Sequence, residues 1–391
     1  MTTLGWTTTL DGFVQVDAVP WSQHSLDEVD PGGSGTPLNE ETISIRRGFF
    51  RAMAERENYF AELELDANTL KGPAARIVTS QVGWQVPAHA GDPLVQLRAG
   101  LMLIPFGAIV PNNARYRDFV EQPMFLRALF PGDVDGGANA QGAYGLVRWS
   151  VSAMNGSPVG DAQWQGRDPA SSFDLLGRLG TDVPLPHRGR FVAGISAVTG
   201  KGLHAGTPPT KDSLQWVDEN QDGIVQITEL TTIPGSPGEP SQTFTRDVID
   251  LDATVHWCLA ELGHGMLQFE GAIAKNLDRG VVYADPIARS RDVRELGFSL
   301  GLVQDLGPIA LAGVRYDRYD ADRDAAEAQG VTTVYTHELF STLAVMAAAR
   351  WHTSRLTVEY DHVTNPFGRS DSGAPMSQRA DRVTLRGQVE F

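Results

Sequence analysis

One cysteine, Cys258, stands in the 391 residues. A single thiol cannot close an internal disulfide, and it excludes a Cys-based metal site. Basic residues are scarce: 32 Lys and Arg against 48 Asp and Glu leave a formal net charge of −16 and a pI of about 4.9. A chain with that balance repels phosphates, so a nucleic-acid partner is excluded. Long apolar runs are missing too. The longest, residues 343–349, falls far short of the ~20 residues that a membrane helix needs. A membrane barrel needs no such run, because its strands alternate. The histidines show no metal spacing, and there is no Gly-x-Ser-x-Gly elbow, phosphate loop or paired-Cys motif. No enzyme is expected from these residues.

What the chain has in quantity is alternation and turns. Glycine reaches 41 residues. The last ten residues show the pattern most plainly. Val383, Leu385, Val389 and Phe391 fall on one parity, and Arg382, Thr384, Arg386, Gln388 and Glu390 on the other. A strand sends alternate side chains to opposite faces, so this segment has one apolar and one polar face. A soluble core strand rarely stops on a buried aromatic. In an outer-membrane barrel the apolar face meets lipid, the polar face lines the lumen, and a terminal Phe joins the interfacial girdle.

The same rhythm runs down the chain. Leu4, Trp6, Leu10, Val14 and Val16 oppose Asp11, Gln15 and Asp17 in a first strand, and a Pro-, Gly- and acid-rich loop follows over 20–41. Ile249, Leu251, Ala253, Val255 and Trp257 oppose Asp250, Asp252, Thr254 and His256. Glu62, Glu64 and Asp66 share one strand face, and three carboxylates there need water rather than a dry core. About sixteen strands can be placed, with short connections alternating with mostly longer ones, as periplasmic turns alternate with external loops. The expected fold is all-β: one transmembrane antiparallel barrel of about sixteen strands over 1–391. The amphipathic pattern begins within the first few residues, so the chain reads as the mature part of an exported protein carrying an added Met1.

Two segments are too long to be plain connections, and long loops are usually functional. One covers 108–135 and carries Arg115, Arg117, Asp118, Glu121 and Arg127, with Phe119, Met124, Phe125, Leu126 and Phe130 as candidate anchors. The other covers 200–242 and contains Asp218-Glu219-Asn220-Gln221-Asp222-Gly223-Ile224-Val225-Gln226-Ile227-Thr228-Glu229. Its oxygen donors stand at loop positions 1, 3, 5 and 12, with Gly at 6. Calcium takes six to eight hard oxygens, and a glycine there permits the turn that wraps them round the ion. The expected ligands are Asp218, Asn220, Asp222, the Ile224 carbonyl, Gln226 and Glu229, in an EF-hand-like loop. Prolines 208, 209, 234, 237 and 240 flank it in place of helices, so the calcium expected here is structural, stiffening an external loop.

Several short motifs resemble the phosphate-selective porin O and P family: Ile45-Arg46-Arg47-Gly48-Phe49-Phe50, Leu97-Arg98-Ala99-Gly100-Leu101, Ile104-Pro105-Phe106-Gly107, the run from Trp149 to Gly156, and Leu176-Gly177-Arg178-Leu179. The resemblance implies a homotrimeric bacterial outer-membrane channel, seated in lipid, with one loop folded inward as a constriction; by position that loop is 108–135. Arg46, Arg98, Arg148 and Arg178 then join the loop residues as pore-lining candidates. The acidic balance departs from the lysine-rich pores of the family, so the expectation is passive diffusion of ions and small hydrophilic solutes with mild cation preference or none. The rival expectation is a plugged, non-conducting barrel that uses its long loops as a calcium-dependent surface scaffold or adhesion protein.

Overall fold

The computed structural model describes all residues except 1, 4, 23–40, 71, 88–91, 161–169, 330–331 and 370–374. Met1, Leu4 and most of the 20–41 loop therefore lie outside the described residues. Sixteen antiparallel strands close into one barrel. The first eight are β1 (Trp6–Ser22), β2 (Thr42–Arg56), β3 (Tyr59–Asn68), β4 (Ala74–Val86), β5 (Val95–Leu103), β6 (Val134–Tyr144), β7 (Val147–Met154) and β8 (Asp174–Leu185). The second eight are β9 (Gly189–His204), β10 (Gln242–Leu259), β11 (Gly263–Lys275), β12 (Arg294–Leu306), β13 (Ala310–Asp320), β14 (Leu339–Trp351), β15 (Ser354–Arg369) and β16 (Arg382–Glu390).

Each strand pairs with the next, and β16 returns to β1 through Phe13↔Glu390 to Ser22↔Arg382. The ring has no free edge. Closure satisfies every ladder without a partner chain, which a membrane interior demands. Beyond β16, Phe391 stays hydrogen-bonded to Gly12 in both directions, at 2.9 and 3.1 Å. A Cβ on Gly12 would meet the Phe49 carbonyl at 2.3 Å and the Phe391 ring at 2.7 Å, so glycine is what lets the terminal ring pack against β1.

Burial is inverted relative to a soluble protein. On β10, Ile249 and Leu251 are exposed while Asp250 and Asp252 are buried. On β1, Val14 and Val16 face out while Gln15 and Asp17 are buried. Apolar side chains that face away from the protein in a closed ring need hydrocarbon around them. No helix among the described residues is long and apolar enough to cross a membrane; the strands do the crossing.

β1 runs on to Ser22 with a register shift between Ala18 and Trp21, past the Pro20 at which the sequence suggested a loop. A proline is tolerated at such an irregularity because the ladder donor it lacks is not used there. A second bulge has more consequence. Arg47 pairs with Gln15 and Ile45 with Val16, leaving Arg46 unpaired between them. A bulge places one extra residue on its strand and re-aims side chains. Here it lets two successive arginines reach the lumen.

Short connections of the type Glu57–Asn58, Gly145–Leu146 and His352–Thr353 mark one end of the barrel, and the long loops stand at the other.

The candidate channel and its constriction

Between β5 and β6, residues 104–133 fold into the barrel; Val134 and Asp135 already belong to β6. Within this loop, helix α1 (Met124–Leu129) starts directly after Pro123, a residue suited to the first turn because it has no N–H to leave unpaired. Phe125, Leu126, Leu129 and Phe130 are buried with Met102, Phe106, Tyr319 and Phe340. Phe119 lies under the Arg315 guanidinium, 4.8 Å from ring centroid to charge. These apolar residues anchor the loop against the wall.

Wall carboxylates hold its backbone. Glu270 Oε2 accepts from the N–H groups of Ala108 (3.0 Å) and Ile109 (2.9 Å). Glu359 accepts from Val120 N–H at 2.8 Å and Asp317 from Met124 N–H at 3.2 Å. Arginines take the carbonyls: Arg386 donates to Val120 O at 2.7 Å, Arg315 to Glu121 O at 2.6 Å and Arg355 to Arg117 O at 2.5 Å. These contacts are buried or part-buried, and a peptide group shielded from water needs such a partner. All of these wall residues stand on β11, β13, β15 and β16. A second loop, 276–293, braces the first: Arg279 and Gly280 donate N–H bonds to Ala128 O.

The space that remains lies between this loop and the β2–β8 wall. One cavity of about 280 Å3 there is lined by Arg46, Arg47, Arg76, Arg117 and Arg127, against Glu64, Glu121 and Asp133. A second, of about 240 Å3, is lined by Arg98, Arg148 and Arg178, against Asp92. Glu121 joins Arg46 at 2.7 Å and Arg117 joins Asp133 at 2.7 Å. Arg98 donates to Asn139 and Gln141, at 2.9 and 3.1 Å. Arg148 reaches Asp92 and Asp182, and Arg178 grips Asp252 with both terminal nitrogens.

Seven of the nine residues expected along the pore are thus gathered at two cavities. The other two are placed elsewhere in the lumen. Arg115 pairs with Asp11 (3.1 Å) and Glu390 (2.7 Å), and Asp118 lies 3.8 Å from Arg355. Sequence patterning misses Arg47, because strict alternation turns it outward and the bulge turns it in. It also misses Arg76 and the anchoring role of Glu270, for which no local signal exists.

The loop between β9 and β10 carries its own hairpin, Ser213–Trp216 with Leu230–Ile233. At its tip, Asp218, Asn220 and Asp222 accept hydrogen bonds from the backbone N–H groups of Asp222, Gly223 and Ile224, at 2.7–3.1 Å. Gly223 sits at φ +71 in that turn. Gln226 Nε2 donates to Asp222, and Glu229 accepts from Trp216 Nε1 at 3.0 Å. The donor chemistry fits a hard cation, and the turn places positions 1, 3 and 5 together. The fit is partial, since the position-12 carboxylate faces Trp216. Among the described residues no three His, Cys, Asp or Glu side chains are grouped to hold a metal.

No protein-family model matches the chain, and no curated protein matches it in sequence. Solved structures do match over its whole length. The outer-membrane channel DcaP of Acinetobacter baumannii aligns at TM-score 0.61 and 11% identity, covering 100% of this chain and 99% of its own. The anion-selective porin from Comamonas acidovorans aligns at 0.59 and 10%, covering 99% and 100%. The trimer form of OmpT, an outer-membrane protein of Vibrio cholerae, aligns at 0.55 and 9%, also covering 99% and 100%. The barrel is a porin fold. With its apolar outer face and charged interior, this porin barrel belongs in a bacterial outer membrane.

Proposed function

We propose that the protein is a diffusion channel for small hydrophilic solutes, with a preference for anions. The observation that carries this reading is the lining of the space beside the constriction loop. Five arginines line one cavity against three acids; in the other, Arg148 and Arg178 are paired with aspartates, while Arg98 is held by the neutral Asn139 and Gln141. The chain as a whole carries −16, and its acidic balance alone argues for cations. Exposed charges beyond about 10 Å are largely screened at 0.1 M salt, so the nearest groups set the field that a passing ion meets. Many lumen acids are out of reach. Asp250, Glu270, Glu295, Asp317 and Glu359 are buried in the wall, several of them bonded to loop backbone. The test is the zero-current potential of the purified protein in a planar bilayer under a KCl gradient. A potential of the anion-selective sign supports the reading, and a strongly cation-selective one overturns it.

The assembly that goes with this reading is a homotrimer, supported by the trimer form of the Vibrio neighbour; conductance rising in threefold steps would show it. Calcium belongs to the same proposal. Asp218, Asn220, Asp222 and the Ile224 carbonyl would hold the ion, with Gln226 and Glu229 completing the shell, and it would stiffen the outer loop. Terbium is a fair probe, because Trp216 beside Glu229 can sensitise its emission. Saturable emission that calcium displaces and Asp222→Asn abolishes supports the site; no emission removes it.

The rival reading, a non-conducting surface scaffold, has one observation in its favour. Ile224, Val225 and Ile227 stand exposed on the outer loop, Ile227 at 89%. A protein that inserts into bilayers without conducting would decide for it.

A further inference from the structure

The first cavity has a resident anion of its own. Glu121 Oε1 lies 2.7 Å from Arg46 and 3.5 Å from Arg386, and its Oε2 lies 3.8 Å from Arg47. Arg127 lines the same cavity. Arg386 has Asp17 as its own partner, but Arg46 and Arg47 share this one carboxylate, and each guanidinium carries five N–H donors and keeps its charge. The Nε atoms of Arg46, Arg117 and Arg127, all from this cavity's lining, have no hydrogen-bond partner among the described residues. Buried donors without partners are rare and call for a group that would satisfy them.

Glu121 is also mounted rigidly. The residue before it is clamped by Glu359 at its N–H and by Arg386 at its carbonyl, and the Glu121 carbonyl is held by Arg315. The backbone, not the arginines, therefore fixes where this carboxylate stands. Burial by itself would raise its pKa, but Arg46, Arg47, Arg386 and Arg127 outweigh burial and hold the carboxyl well below the usual range. It stays ionised at neutral pH.

We infer that Glu121 is the selectivity-determining residue of the passage, a tethered counter-anion on guanidiniums for which an entering oxyanion must compete. The inference rests on the anion-preferring reading and deepens it. An entering carboxylate offers the same planar pair of oxygens that Glu121 presents, a phosphate offers a tetrahedral set, and a guanidinium fork matches both. The cavity's 280 Å3 leaves room for such a group beside the tether, given that a water takes about 30 Å3. Glu121 cancels part of the local charge and occupies Arg46. It thus keeps oxyanion binding weak enough for release, as conduction requires.

The test compares wild type with Glu121→Gln, which keeps the shape and the main-chain clamps but removes the charge. In planar bilayers under a KCl gradient, the anion-to-cation permeability ratio of Glu121→Gln should rise roughly fivefold, because one nearby unit charge has been removed. Inorganic phosphate should block its chloride current at a lower concentration than in wild type. Arg46→Gln should move both quantities the other way. If Glu121→Gln fails to fold, Glu121→Asp keeps the charge but draws it back from Arg46, and should give a smaller shift of the same sign. An unchanged or lower ratio together with unchanged phosphate block overturns the role of Glu121. The sign of the wild-type potential reports separately on the channel reading, so the two can fail independently.

Discussion

Arg386 on the last strand and Asp17 on the first are joined by two hydrogen bonds of 2.7 Å, from Nε to Oδ1 and from Nη2 to Oδ2. The two residues stand directly opposite each other across the seam that closes the barrel. The remaining Nη1 of Arg386 reaches Val120 O in the constriction loop. One side chain therefore ties barrel closure to loop position.

Both partners are buried, Arg386 at 2% exposure and Asp17 at 6%. Removing one member of such a pair strands the other, at a cost of about 3–5 kcal/mol. Arg386→Gln should lower the urea midpoint of the detergent-folded protein accordingly. Arg386→Gln with Asp17→Asn together should lose less than Arg386→Gln alone. Equal losses would mean that the pair does not hold the seam.

Glu270 is the latch at the start of the constriction loop. Its two bonds to the Ala108 and Ile109 N–H groups are worth roughly 0.5–1.5 kcal/mol each. Glu270→Ala should free this end of the loop, with raised single-channel conductance and a noisier open level. A quiet channel of wild-type conductance would count against the latch.

Gly107 lies at the same point with φ +62, and a Cβ there would meet Glu270 Oε1 at 2.1 Å. Gly107→Ala combines left-handed strain with a clash, and should cost about 1–3 kcal/mol while displacing the loop. Gly145 is a matched control, at φ +58 in a short turn with nothing within 4 Å of its Cβ position. Gly145→Ala should cost only the conformational strain, about 1 kcal/mol. Comparable losses in urea unfolding would show that Glu270 does not crowd Gly107.

At the outer mouth, His204 Nδ1 lies 2.6 Å from Asp285 and joins the end of β9 to the loop 276–293. Burial would raise Asp285, but its bonds from His204 and from the Ile287 and Ala288 N–H groups prevail and hold it below 3.8. A carboxyl depressed on folding stabilises above its unfolded pKa and loses that contribution as pH falls through the folded one. The contact should persist from neutral pH down to about 4 and loosen below it. Amide exchange around 285–288, corrected for intrinsic rates, should speed up only in that acid range. Acceleration already at neutral pH would mean that the Asp285 carboxyl does not hold this contact.

Selectivity should also fade with salt. The Debye length shrinks from about 10 Å at 0.1 M to about 3 Å at 1 M, so the permeability ratio should move toward unity over that range. A ratio that holds at high salt would mean that binding contacts alone, without the wider field, set the preference.

Much of the architecture is legible along the chain because its signal is local. Asp250 alternating with Ile249 and Leu251 fixes which face is wet whatever the rest of the chain does, since the period of a strand is two. The alternation of short turns with long loops fixes the hairpin order in the same way. The constriction is legible as a long segment with Arg115, Arg117, Asp118, Glu121 and Arg127, but its path is not. Arg115 ends beside Asp11 and Glu390, away from the cavity where Arg117, Glu121 and Arg127 meet Arg46. Arg47 enters that cavity through a bulge whose register depends on β1, a different segment.

By itself, the sequence determined the strands, most of their lumen-facing residues, the closed barrel they build and the two long inserts. The tertiary structure alone decided which charges a solute can meet. Glu270, Asp317 and Glu359 look like Glu62 in any strand pattern, yet the folded loop takes up the first three as acceptors for its own N–H groups. Asp17 and Arg386 are 369 residues apart and neutralise each other across the seam. Net charge is a sum over the chain, whereas a passing ion responds to unpaired charges within a Debye length. Pairing across the lumen sets those, and no local pattern encodes it.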